Sequence, residues 1–310
     1  MGWQFWVELL IRSSIVLLAC EGLRRFAGRM DAAERYRIGL FAFGLLALLP
    51  LLSALLPGIP VPIGKLFGAR AVVTVEMGPL LAGSAPIAHG SGWRIDWLLL
   101  AWSAGAAIGL GWLAAGRIAI WRLTRRAAVL RDARRLELAR ELSTAMGLRR
   151  VPEILVFDKA IIPVTFGILR PKILLPFDCA GWAAARWRVV LLHELAHIKR
   201  RDVAAQWFAG AACAFWWFQP LAWRARRTLR QESERACDAQ VMSAGIRASE
   251  YAAELLAIAR DARWGVPSCA AIGMASEQLE ARLQAILRAQ PAARSRARGF
   301  TAVLTLIVFG

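Results

Sequence analysis

The sequence predicts an α+β membrane protein, in which N-terminal transmembrane helices carry a cytoplasmic domain with a small edge sheet. Three observations predict it. The 310 residues are 58% hydrophobic yet carry a net charge of +18, a combination that soluble domains rarely show. The long apolar runs are bounded by clustered arginines, as spans anchored at the cytoplasmic face are. Between residues 151 and 175, short apolar runs alternate with Gly and Pro, which reads as a few short strands.

Trp3–Leu23 is long enough to cross a hydrocarbon core of ~30 Å, with Glu8 and Arg12 turned toward other helices. It lacks the early basic region and small-residue cleavage site of a signal peptide. Arg24, Arg25, Arg29, Arg35 and Arg37 then crowd a short loop opposed only by Asp31 and Glu34, so this loop is cytoplasmic. Ile38–Leu56 returns through the membrane, kinked at Pro50. Residues 58–93 form an external loop holding His89, read as an ordinary surface histidine, and a short strand at Val72–Val75. Ile95–Trp121 is the third span. Arg122, Arg125, Arg126 and Arg131 follow it and place the next domain inside. The domains are thus three spans over 1–121, a cytoplasmic domain over 122–298, and the start of a fourth span at 299–310. This distribution of the basic excess assigns it to the lipid bilayer rather than to direct nucleic-acid binding. Five cysteines without framework spacing read as reduced thiols.

Within the cytoplasmic domain, Leu123–Met146 reads as a basic amphipathic helix stopped by Gly147. Val151–Phe157 is a strand, and Ala160–Leu175 supplies further short ones. Asp178 is expected to cap the helix that carries the next motif, and Asp202 the helix that begins at Val203. Further helices are expected at Leu221–Gly245, Arg247–Ala262 and Glu277–Ala289, with a loop over Arg263–Ser276 and a basic stop at Arg294, Arg296 and Arg298.

The chemistry is carried by His193-Glu194-Leu195-Ala196-His197. Histidines four apart on a helix differ by about 400°, so both project from one face. That spacing lets two imidazoles hold one Zn²⁺, while Glu194 can take a proton from a water without being a ligand. The chain has three histidines and two are here. A third ligand is needed, and the best candidate lies in Arg230–Asp238, where Glu234 and Asp238 are four apart. Glu234 can ligate while Asp238 accepts the free N–H of a ligand histidine; alternatively, the stretch is a solvated charged face. Trp207–Trp223 is apolar enough to be a full span. That would put His197 and Glu234 on opposite sides of the membrane, so it must instead lie against the membrane or the other spans, broken by Pro220. A sheet edge beside the zinc helix, at Val164–Ile168 or Lys172–Leu175, could pair with substrate backbone or be plain core.

HELAHIKRRD followed by ESERACD resembles the BlaR1/MecR1 family of membrane-integrated zinc metallopeptidases, which are gluzincins. The stretch Pro163–Pro176 also resembles that family's segment before the zinc helix. The resemblance covers most of the chain. It implies a gluzincin domain with His193, His197 and Glu234 on zinc, Glu194 as general base, and Glu234 rather than Glu232 as the ligand of an ExxxD pattern. It also implies regulated proteolysis of a cytoplasmic repressor or of the chain itself, in response to an external signal, at the inner membrane. Self-cleavage is expected within Gly265–Ser276, chiefly Ala270–Ser276. The sequence is compatible with a homo-oligomer. One alternative is a quality-control or processing protease similar to the Ste24/HtpX group, which shares both motifs. The other is a non-enzymatic receptor with structural zinc, against which the intact Glu194 speaks.

Overall fold

The computed structural model describes residues 3–26, 30–55, 96–159, 161–263 and 269–288. The expected external loop at 58–93, with His89 and the Val72–Val75 strand, and the expected span at 299–310 fall outside them. Three long helices come first: α1 (Trp3–Phe26), α2 (Ala32–Leu55) and α3 (Trp97–Arg126). Ala32–Ser53 and Trp97–Arg126 are each long and apolar enough to cross a membrane. The window within α3 is almost wholly uncovered by protein, and Trp97, Ile108 and Trp112 point outward as lipid-facing side chains do. Arg12 on α1 is paired with Glu8 and donates to Ser53 on α2, so the charges within this helix pair are satisfied by each other.

The remaining elements are β1 (Ala128–Val129), α4 (Ala133–Ala145), β2 (Glu153–Val156), β3 (Val164–Phe166), β4 (Lys172–Leu175), α5 (Ala184–Arg200), α6 (Asp202–Phe215), α7 (Pro220–Ser243), α8 (Ala248–Arg263) and α9 (Cys269–Arg288). The strands form one sheet in the order β1-β2-β4-β3, with β2 and β4 parallel and the outer pairs antiparallel. Side chains alternate across it. Ile154, Ile173 and Leu175 face the helical core with Trp187, Leu191 and Leu195, while Leu155, Phe157 and Leu174 pack with Ala127 and Phe166. The edge beside α5 is therefore β3; Lys172–Leu175 is internal to the sheet.

Several boundaries differ from expectation. Leu123–Met146 is not one helix: α3 runs on to Arg126, β1 pairs with β2, and α4 restarts where the Asp132 carboxylate accepts from the amides of Arg134 and Arg135. Asp178 caps nothing; it lies in a 3₁₀ turn, Phe177–Gly181, and accepts the Trp182 indole N–H at 3.3 Å. The expected loop over Arg263–Ser276 is helical from Cys269 onward. Its alanines are strong helix formers that outweigh the roughly 1 kcal/mol penalty of Gly273. A self-cleavage site within Ala270–Ser276 would have to unwind that helix; residues 264–268 lie outside the described set.

The apolar stretch Trp207–Trp223 is neither a full span nor a straight helix. α6 and α7 form a helical hairpin whose tip, residues 216–219, inserts among α1, α2 and α3. Pro220 stands at the first turn of α7, where its missing N–H is no loss. The tip's polar groups are met by side chains: the Trp102 indole donates to Phe215 O (3.0 Å), the Trp223 indole to Trp217 O (3.0 Å), and the Gln219 amide to Ser13 and Ser14 (2.9 and 3.0 Å). Irregular backbone is tolerated among membrane helices only when it is satisfied in this way. α3 approaches closely through Gly105 and Gly109, where a Cβ would fall 2.3 Å from the Trp217 ring and 2.9 Å from Ala214 Cβ. The hairpin returns the chain to the side it left, so His197 and Glu234 lie together.

α7 joins the two halves of the molecule. Ala222 and Leu229 belong to the helical bundle, Cys237 and Val241 to the core under the sheet. Where they meet, the buried Glu232 accepts from Arg35 Nε (2.9 Å), Arg24 Nη1 (3.4 Å) and Arg235 Nη1 (2.9 Å). Replacing Glu232 by Ala leaves these guanidinium groups without their common anion. It is expected to destabilise the fold by about 3–5 kcal/mol, read as a lowered unfolding temperature in detergent. An unchanged midpoint would mean that this ion cluster does not hold α7 to the α1–α2 hairpin.

Candidate metal centre

The centre is built on α5 and α7, which cross beneath the sheet edge. α5 presents Val190, Leu191 and Leu195 to the core and turns His193 and His197 toward α7. The two imidazole rings meet edge to face with Nε2 atoms 3.2 Å apart. Glu234 on α7 closes the group, with Oε2 3.5 Å from His193 Nε2 and Oε1 3.9 Å from His197 Nε2. Three donors bound at about 2.1 Å around a tetrahedral ion stand roughly 3.4 Å apart, so these separations fit a metal.

The Nδ1 atoms establish why the Nε2 atoms face each other as acceptors. His197 Nδ1 is 2.9 Å from Asp202 Oδ2, and that carboxylate also accepts from Ser233 Oγ (2.7 Å) and Arg200 Nε (3.3 Å). His193 Nδ1 is 3.0 Å from Tyr251 Oη, which donates to Asp238 Oδ1 at 2.6 Å. With both Nδ1–H groups spent on these acceptors, each Nε2 offers a lone pair. In this tautomer two lone pairs and a carboxylate converge on one partly buried space, a donor set that fits a cation.

Asp238 stands beside His193 without a direct hydrogen bond to it. Its carboxylate lies 3.5 Å from His193 Nδ1, and Tyr251 takes the hydrogen bond between them. The direct carboxylate–imidazole contact is made by Asp202, which the sequence reading assigned only as a helix cap. It arises because Arg201 adopts φ 57°, the one positive φ at a non-glycine among the described residues, and so folds the start of α6 back against His197. Arg282 of α9 also enters the site. It donates to both Asp238 oxygens (3.0 and 2.6 Å) and stands 3.1 Å from Glu234 Oε2. Tyr251, Arg282 and Ser233 left no signal in the sequence, because no motif spacing ties them to the histidines.

The electrostatics follow from these contacts. Burial resists ionisation of Glu234, but the adjacent His193 ring and the Arg282 guanidinium outweigh it and hold the carboxyl well below the usual range. Burial likewise opposes charge on His197, yet the Asp202 hydrogen bond prevails and raises it. The pocket thus favours positive charge. Glu194 is buried on α5 and accepts from Thr165 Oγ1 of the edge strand at 2.7 Å. Thr165 is a further residue that the sequence did not single out; it ties Glu194 to β3.

Residues 4–286 match the family described as BlaR1 peptidase M56. The chain belongs to that family. That family is one of peptidases, and among the described residues two helices are long and apolar enough to cross a membrane. An 80-residue segment is 40% identical to the regulatory protein BlaR1 of Bacillus licheniformis. That segment is 26% of this chain and 13% of that relative.

A second trio of donors, His197, Asp202 and Cys237, lies beside the first. Its chemistry is different. Cys237 Sγ is 3.4 Å from His197 Nδ1, which Asp202 already engages, and burial pushes the Cys237 thiol up to about 11. At pH 8 roughly one such thiol in a thousand is ionised. Cys237 is therefore expected to resist maleimide in the folded protein and to react on unfolding, as mass spectrometry of the labelled residue would report. Rapid labelling of the folded chain would show instead an accessible thiolate.

Proposed function

We propose that this chain is a zinc endopeptidase of the cytoplasmic membrane, with a gluzincin domain that cleaves a cytoplasmic protein during transmembrane signalling. The observation that carries this reading is the convergence of two Nδ1-anchored histidines with Glu234, beside a buried Glu194 that adjoins His193 in the chain and touches the sheet edge. His193, His197 and Glu234 would hold the ion, with Asp202, Tyr251 and Asp238 orienting the imidazoles. Bound there, zinc supplies Lewis acidity that acidifies water and polarises a carbonyl.

The chain's own residues do the rest. An extended substrate adds to the free edge of β3, which sets its backbone alongside Glu194. Glu194 takes one proton from the water whose oxygen attacks the scissile carbonyl carbon. It then delivers that proton to the amine nitrogen as the C–N bond breaks. Thr165 holds the carboxylate in the orientation that both transfers need. A repressor or the chain itself as substrate is what the family resemblance implies.

Two tests follow. Glu234→Ala is expected to lose most of its zinc by elemental analysis. Glu194→Gln is expected to keep the metal and the fold while cleavage of an unfolded protein falls by roughly 10²–10⁴-fold. Full metal in the first variant, or wild-type cleavage in the second, would overturn the assigned roles. For topology, cysteines placed at 131 or 235 should be protected from an impermeant reagent added outside intact cells; labelling there would put the domain on the other side.

A further inference from the structure

Away from the metal centre, a cavity of about 240 Å³ lies between α1, α2 and α7. Its walls are of two kinds. Arg24, Arg25, Arg35 and Arg224 line it against Glu21 and Glu232, an excess of two positive charges. Leu17, Leu18, Ile38 and Leu221 supply apolar lining beside them. Both carboxylates are already neutralised, Glu21 by Arg24 and Arg25, Glu232 by Arg24, Arg35 and Arg235. The surplus lies on the outer arginines. Arg25 spends only Nε on Glu21, and the exposed Arg224 has no hydrogen bond or ion pair among the described residues.

The apolar lining is not closed off. Leu18 lines the cavity and is 57% exposed, continuous with Ile15, 58% exposed, on the outer flank of α1. The cavity therefore opens sideways onto the surface that lipid tails cover, beside the candidate span in α2, with guanidinium groups in its lining. An anion alone would leave the apolar walls bare, and an acyl chain alone would leave the arginines unmatched. One ligand class satisfies both kinds of lining. We infer that this cavity binds an anionic phospholipid, its phosphate held by Arg25 and Arg224 and an acyl chain laid along Leu17, Leu18 and Leu221. Basic pockets between membrane helices recognise acidic headgroups in this manner.

The site lies on the same helix as the candidate metal ligand. Glu232 in the cavity wall stands two residues before Glu234 on α7, so the lipid would brace the joint between the bundle and the domain.

The test uses the full chain, purified in detergent, stripped of lipid and examined by native mass spectrometry. Phosphatidylglycerol is expected to be retained at one per chain at concentrations where phosphatidylcholine with the same acyl chains is not. The double variant Arg25→Gln/Arg224→Gln, which changes exposed side chains only, should weaken that retention by roughly tenfold or more. Ala225→Trp, which fills the cavity and keeps every arginine, should weaken it as well. Equal retention of the two lipids, or undiminished retention in the double variant, overturns the inference. Intact retention in Ala225→Trp would show headgroup attraction to the surface without the cavity. Displacement by glycerol phosphate at concentrations matching the lipid would show a soluble phosphate as the ligand, and either result also overturns it.

Discussion

A carboxylate withdrawn from water must be met by a cation or a set of donors, and α7 carries three such groups along one helix. Glu232 is answered by arginines from α1, α2 and α7 itself. Glu234 faces the histidines of α5 and is answered by Arg282, and Asp238 by Arg282 and Tyr251. Leaving any one of them unmatched would be expensive, since an unpaired buried charge is among the largest single penalties a fold can carry. The requirement therefore determines where the α1–α2 hairpin, the α5 helix and the C-terminal helix α9 can stand. Hydrophobic burial holds each half together, but the charges on α7 set the halves in register.

The helical hairpin α6–α7 meets a second requirement. A chain that dips among membrane helices and returns must turn, and a turn exposes carbonyls and amides that lipid cannot satisfy. Here indole N–H groups and the Gln219 amide take that role, which explains the tryptophans crowded around residues 216–223. Close approach of α3 needs the absence of side chains at Gly105 and Gly109. The pair is spaced as in helix-packing motifs, Gly-Ala-Ala-Ile-Gly, and so was present in the sequence as a signal of contact.

The candidate metal centre is coupled to its surroundings through hydrogen bonds one step removed from the donors. Asp202 orients His197 and is itself held by Ser233 of α7 and by Arg200, whose guanidinium lies 4.3 Å from the Tyr36 ring of α2. Tyr251 of α8 and Arg282 of α9 reach His193, Glu234 and Asp238. α8 and α9 thus each contribute a group to the centre and α2 touches one of its supports, so a shift of α2, α8 or α9 alters the orientation of a donor without touching the donor helix.

Sequence alone determined the class of the molecule and the residues that meet at its centre. Apolar runs with flanking arginines, the spacing of His193 and His197 on one helical face, and the four-residue separation of Glu234 and Asp238 are local periodicities. Local periodicities are written in the order of residues. The requirement that His197 and Glu234 share a side of the membrane also ruled out a full span at Trp207–Trp223. Only the tertiary structure decided how the chain satisfies that requirement, which strand is the free edge, and which groups complete the centre. Asp202, Tyr251, Arg282 and Thr165 come from four separate elements, and their contacts depend on a left-handed turn at Arg201 and on helix crossings. The alanine-rich stretch from Cys269 looked like a loop because glycine and small residues are ambiguous between turn and helix, and no neighbouring residue in the chain resolves that. Contacts between distant segments leave no period in a sequence, which is why the donors were legible and the groups that aim them were not.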